Sequence, residues 1–141
     1  PFAINEFYVG RGVVTTQGGS SVNIPELYCR GNGNPGAAQP MAQGVEQIRA
    51  RFAFIDSDPG GYLQQTRMTD IAGVGSNWGS VYTVYLCVLT QSPSNVYSSG
   101  VANTYTDCDN TTRTATDNRL RKANRLTITL RNRINTFTAL H

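Results

Sequence analysis

Residues 117–134 read Asp117-Asn-Arg-Leu-Arg-Lys-Ala-Asn-Arg-Leu-Thr-Ile-Thr-Leu-Arg-Asn-Arg-Ile134. In the second half, Leu126, Ile128, Leu130 and Ile134 alternate with Thr127, Thr129, Arg131 and Arg133. A period of two with β-branched residues is the pattern of a half-buried strand, which predicts one core-forming face and one basic face. Asn132 breaks the apolar side near the end, where a strand meets the margin of its sheet. Arg119, Arg121, Lys122 and Arg125 precede the strand, so one segment carries a core face and most of the positive charge. Residues 81–89, Val-Tyr-Thr-Val-Tyr-Leu-Cys-Val-Leu, are apolar on both faces, as a central strand is, and form its natural partner.

Working outward, Phe7 to Val9 predicts a strand, with a second short one at 13–15 beyond Gly10 and Gly12. Residues 24–30 predict another, which Pro25 confines to an edge or a strand start. Residues 31–40 read as a loop without regular structure, and 17–21, 56–61 and 73–79 as turns or breaks. Residues 45–55 fit a helical face through Val45, Ile48, Phe52 and Ile55, and a strand face through Ile48, Ala50, Phe52 and Phe54. The strand is preferred, because the aromatics cluster and Gly44 is a poor helix start. Residues 62–71 predict a short helix, since Gln64, Gln65, Arg67 and Met68 are good helix formers.

Residues 90–116 form a polar, low-complexity excursion that carries Cys108, and excursions of that length are functional or tied down. A Cys87–Cys108 bridge would tie it, closing a loop of about twenty residues for roughly 3 kcal/mol. Three cysteines is an odd count, and no C-x-x-C pair points to zinc. Two readings stand: one disulfide with a leftover thiol in an oxidising compartment, or three reduced thiols.

The chain of 141 residues is one domain by length, and 39% hydrophobic residues with 14 glycines favour short strands and many turns. The fold class expected is α+β, mainly antiparallel β-sheet with one or two short helices. The net charge of +3 is unevenly spread. Arg113, Arg119, Arg121, Lys122, Arg125, Arg131 and Arg133 stand against Asp117 alone, while residues 1–112 hold more acids than bases. Nearly all cations are arginine, which pairs bidentately with carboxylate or phosphate.

His141 is the only histidine and no G-x-S-x-G occurs, so serine–histidine and cysteine–histidine catalysis are excluded and no enzyme is expected. Gly31-Asn-Gly33-Asn-Pro-Gly36 matches a dinucleotide fingerprint, yet Pro35 lies inside it and no helix start follows; no cofactor is assigned. Asp56-Ser-Asp58-Pro-Gly-Gly61 begins like a calcium loop, but Arg67 stands where the bidentate glutamate belongs, so no metal is assigned. Asn110-Thr-Thr112 is a glycosylation sequon that matters only in a secretory eukaryotic setting. Trp78 is expected to anchor the sheet edge. The basic segment has no aromatic residue between Arg113 and Arg133, so it lacks stacking platforms for nucleic acid. Phosphate attraction alone gives weak, salt-sensitive binding.

Read in order, Phe7-Tyr8-Val9-Gly10, Pro25-Glu-Leu27-Tyr28, Gly44-Val45-Glu46-Gln-Ile48, Trp78-x-x-Val81, Asn118-Arg119-Leu120-Arg121 and Thr127-x-Thr129-Leu130-Arg131-Asn132-Arg133 resemble the PilW family of type IV pilus minor pilins. The Gly-Val-Glu element is similar to the J-type pseudopilins of type II secretion. The resemblance implies that residues 1–141 are a pilin-like head, trimmed from a precursor whose leader and long apolar helix lie N-terminal to it. The head would be periplasmic beside the inner membrane before assembly and at the pilus tip afterwards. Partners implied are other minor pilins and a tip adhesin, with no catalytic or cofactor residues. Charge complementarity between heads would place Arg119, Arg121, Arg125, Arg131 and Arg133 against an acidic neighbour. A J-type pseudopilin and a DNA-capturing minor pilin are the alternatives.

Overall fold

The computed structural model describes residues 4–15, 19, 21–33, 36–57, 64–98 and 100–130. Its strands are β1 (Asn5–Thr15), β2 (Ser21–Gly31), β3 (Gln39–Gln43), β4 (Val45–Ser57), β5 (Gln64–Thr69), β6 (Val81–Gln91), β7 (Asn103–Thr106), β8 (Thr112–Ala115) and β9 (Arg121–Thr129). A single helical turn, α1 (Ile71–Val74), and one 3-10 turn, Asn77–Ser80, lie between β5 and β6. The sheets run β1-β2-β3, β5-β4-β6-β9 and β7-β8. The protein is mostly antiparallel β-sheet with very little helix. The chain divides into two compact units, residues 1–48 with 88–124, and residues 49–87 with 125–141.

In the first unit, β1 and β2 form an unbroken antiparallel hairpin from Asn5↔Gly31 to Thr15↔Ser21. Gly10 and Gly12 do not split β1 into two strands. Side chains of β2 lie over them instead: a Cβ on Gly12 would stand 2.1 Å from Glu26 Oε2. Glu26 is buried, and its carboxylate accepts from Tyr28 Oη at 2.9 Å, whose ring stacks on Tyr8.

Pro25 corrects a sequence expectation, since β2 is the central strand of its sheet. The β2–β3 ladder ends at Glu26↔Gln43, one residue short of Pro25. The Pro25 carbonyl accepts from Gly44 N at 2.8 Å, so the missing N–H falls on the side where the ladder has already stopped.

Gly44 joins β3 to β4 at φ +76°, and its carbonyl accepts from Gln91 N at 2.7 Å. A Cβ there would lie 2.6 Å from Gln91 O. Gly44→Ala is therefore expected to cost about 2 kcal/mol, from the left-handed backbone together with the displaced Gln91 carbonyl. A denaturant midpoint equal to that of the parent would refute this.

The 90–116 excursion is more ordered than its composition predicts, because β7 and β8 pair from Asn103↔Ala115 to Thr106↔Thr112. Buried Asp107 organises the connection. Its Oδ1 accepts from Asp109 N and Thr111 N, both at 2.9 Å, and its Oδ2 accepts from Arg113 Nε at 2.7 Å. The Arg113 guanidinium and these amides hold the Asp107 carboxyl below its ordinary range. Asn110 occupies the left-handed position of the same turn at φ 60°. Cys108 forms the disulfide with Cys87, leaving Cys29 free on β2.

In the second unit, Gln64–Thr69 is a strand where a helix was expected from residues 62–71. It pairs with β4 from Phe52↔Thr69 to Ser57↔Gln64. Helix propensity is worth only a few tenths of a kcal/mol per residue, which strand pairing readily overrides. The helix begins only at α1, where the Asp70 carboxylate accepts from Gly73 N at 3.0 Å. Phe54, Val74 and Val81 form the buried core, with Phe52 and Leu130 packed against it. Trp78 meets the ring of Phe52, on the inner strand β4, edge-on at 5.0 Å.

The closing strand was expected to bury Leu126 and Ile128. In the structure they are 58% and 39% exposed, and only Leu130 reaches the core. β9 lies beside β6, as predicted, and forms the edge of the sheet; bonds from Ser92 N to Leu120 O and from Leu130 N to Tyr82 O fix one antiparallel register. That register sets Leu126 across from Leu86 and Ile128 across from Val84. The reverse face of β6 carries buried Val81, Thr83, Cys87 and Leu89. The core therefore lies under β6, and the apolar side of β9 is open to solvent.

Candidate functional site

The first unit holds an ionic centre built on Arg121, the first residue of β9. Its Nε and Nη2 donate to Glu46 Oε2 and Oε1 at 2.7 and 2.8 Å. Its Nη1 and Nη2 donate to Asp117 Oδ1 and Oδ2 at 2.6 and 2.8 Å, and Nη2 also reaches Gln91 Oε1 at 3.2 Å. The guanidinium carbon lies 5.4 Å from the centre of the Tyr105 ring, a cation–π distance. One planar fork thus holds two carboxylates bidentately, a geometry that lysine cannot reproduce.

The Arg121 side chain is 10% exposed, against 19% for Glu46 and 41% for Asp117. Arg121 draws the Asp117 carboxyl down to about 2, helped by the Arg119 N–H and opposed by partial burial. The two carboxylates raise Arg121 further above its already high value. Arg121 and Asp117 therefore hold each other in their charged forms at neutral pH. A guanidinium bonded to Glu46, Gln91 and Asp117 at once is suited to joining β4, β6 and β9.

Two of the sequence elements quoted above meet at this point. Gly44-Val45-Glu46 supplies the carboxylate, and Asn118-Arg119-Leu120-Arg121 supplies the guanidinium. Gly44 turns the chain so that β4 starts beside Gln91, and Asn118, at φ 55°, turns it into β9. The Asn118 carbonyl accepts from both Val96 N and Tyr97 N, which anchors the end of the excursion. Asn103 Nδ2 donates to Arg119 O at 2.8 Å, tying β7 to the same turn.

A cavity of about 600 Å³ opens beside the centre, and its described lining residues belong to the first unit. Glu46, Asp117 and Arg121 form one wall; Arg11, Asn23 and Pro25 contribute from the β1–β2 hairpin. Arg119 and Asn118 from the turn and Asn95 from the excursion also line it, with Ile24 and Gln91.

The five arginines expected to face a partner separate. Arg121 is buried in the ionic centre, Arg119 lines the cavity and Arg125 is exposed on β9. Arg131 and Arg133 lie outside the described residues, as does Asp58 of the acidic turn. Sequence reading missed Glu46, Arg11 and Asn118 as site residues. The signal available was the Gly-Val-Glu element itself, a glutamate placed two residues after a turn glycine.

Fold and centre together define a disulfide-bonded, antiparallel β-protein whose buried charges join its strands. The chain belongs to the PilW family: the family model described as Type IV Pilus-assembly protein W matches residues 6–132, from β1 to just past β9. No curated protein and no solved structure matches the chain.

Proposed function

We propose that residues 1–141 are the head of a minor pilin, a structural subunit of the complex that primes type IV pilus assembly and stands at the fibre tip. Family membership supports a place in pilus assembly. The observation that carries the pilin reading is the open apolar ladder of Leu126 and Ile128 across from Leu86 and Val84. A solvent-facing apolar strip on a sheet marks an interaction surface, and in a pilin the long apolar helix N-terminal to the head lies on the sheet. No helix among the described residues is long and apolar enough to cross a membrane; in this reading the inner-membrane anchor is that preceding helix. Other minor pilins and a tip adhesin are then the partners, with cavity-lining Arg119 offered to acidic neighbours.

The test is complementation in a piliated host from which the gene has been deleted. The full-length wild-type gene restores surface pili, and the same gene carrying Leu126→Asp with Ile128→Asp does not. The isolated double variant keeps the parent circular dichroism spectrum, because both side chains are already exposed. Piliation that survives deletion overturns the reading, and loss of protein secretion in its place favours a pseudopilin.

A further inference from the structure

The cavity beside Arg121 carries a charge pattern that the ionic centre does not use. Its two carboxylates, Glu46 and Asp117, are both held by Arg121. Arg11 and Arg119 also line it, and neither has a carboxylate partner among the described residues. The cavity therefore has saturated acids and two uncommitted guanidinium groups, which makes it attractive to anions. The lining also carries the amides of Asn23, Asn95 and Asn118, which both donate and accept hydrogen bonds. Among the described residues no aromatic side chain is in the lining, so neither a nucleobase nor a sugar ring finds a stacking surface there. A volume of about 600 Å³ lies in the range of ligand-binding clefts and admits a few residues of extended peptide.

We infer that this cavity is a binding site for a carboxylate-bearing peptide segment. Arg11 and Arg119 receive the carboxylate, and the asparagine amides pair with the peptide backbone. Arginine presents two parallel N–H donors to a carboxylate, which fixes its orientation as well as its charge. Asn118 supports the assignment through its backbone: a non-glycine residue at φ 55° is held there by its double carbonyl contact, in a wall that also carries Arg119. Such sparsely populated conformations persist where surrounding contacts over-determine them, and they cluster at ligand clamps. The site is preorganised, because Arg121 and the disulfide-closed excursion hold its walls before any ligand arrives. This inference does not depend on the pilin reading, since it concerns only the chemistry of one wall of residues.

The experiment is a titration of residues 1–141 followed by NMR chemical shifts. The probes are a short peptide capped at both ends and carrying glutamates, its glutamine counterpart, and inorganic phosphate. The glutamate peptide is expected to saturate with Kd on the order of 1 mM or tighter, shifting Asn95, Asn118 and Arg119 amides. The glutamine peptide should bind at least about tenfold more weakly, the loss of one charge-assisted contact. Arg11→Ala and Arg119→Ala should each weaken the glutamate peptide about tenfold and leave the melting temperature unchanged, because neither side chain has a carboxylate partner to lose. Should either alanine variant unfold, Arg11→Gln and Arg119→Gln keep length and hydrogen bonding and take its place. Equal binding of the two peptides, tighter binding of phosphate, or indifference to both arginine substitutions overturns the assignment.

Discussion

Replacing Arg121 with alanine is expected to lower stability by about 3 kcal/mol. Removing one partner of a buried ion pair strands the others, and here two carboxylates are stranded at once. Glu46, 19% exposed, retains little water to replace the lost guanidinium. Asp117 is 41% exposed and rehydrates, which keeps the cost at the low end of the range for buried pairs. Arg121→Lys restores a charge without the bidentate fork, so it recovers only part of the loss. Urea unfolding of the three proteins measures this directly, with a lower midpoint at unchanged m-value. A midpoint for the alanine variant within error of the parent would show that the centre contributes nothing net.

Acid should act on the same centre. The Asp117 carboxyl lies at about 2 in the folded chain, below its ordinary 3.8. Its contribution is complete above the unfolded value near pH 4 and is lost as pH falls through about 2. A shift of this size corresponds to about 2 kcal/mol, of which solvent screening of a partly exposed carboxylate leaves about 1 kcal/mol. Asp117→Asn is expected to flatten the stability curve between pH 4 and 2. A parent-like slope across that interval argues against the Arg121–Asp117 pair as its source.

Removing the disulfide should cost as much as removing Arg121, through a different state of the chain. Cys87 and Cys108 enclose the excursion that carries β7 and Asp107. Opening a loop of about twenty residues releases roughly 3 kcal/mol of chain entropy to the unfolded ensemble. Cys87→Ser with Cys108→Ser is thus expected to unfold at distinctly lower urea. Reductant should shift the parent to the same midpoint and leave the double variant where it is. Cys29→Ser, at the free thiol on β2, serves as the control and should move neither midpoint. A parent insensitive to reductant under denaturing conditions would remove the bridge from the list of stabilising bonds.

Local pattern was sufficient for two of the inner strands. Residues 45–55 fitted a helix as well as a strand and were decided by clustered aromatics and Gly44, and 81–89 was read from an unbroken apolar run; these are properties of a few adjacent residues, and both runs are strands. The pairing of the closing segment with 81–89 was likewise readable from two compatible apolar runs. Residues 64–69 were not legible, because good helix formers say nothing about an open edge of β4 waiting beside them. The β7–β8 hairpin escaped notice for a related reason. Its strands are short and polar, and what fixes them is the Asp107 carboxylate gathering two amides and Arg113.

By itself, then, the amino-acid order determined that this is a turn-rich, mainly antiparallel β-protein and, through its motifs, pointed to the PilW family, while the choice between a disulfide and reduced thiols was made only in the folded chain. Periodicity, turn residues and cysteine positions are local quantities and survive in a string of letters. The fate of each charge and each apolar face was settled only when distant segments met. Glu46 and Arg121 are far apart in sequence and joined by two hydrogen bonds, so an arginine that looked outward is buried. Leu126 and Ile128 alternate as a core face should, yet they are open to solvent on an edge strand. Burial depends on what lies across the sheet, and no single strand carries that information.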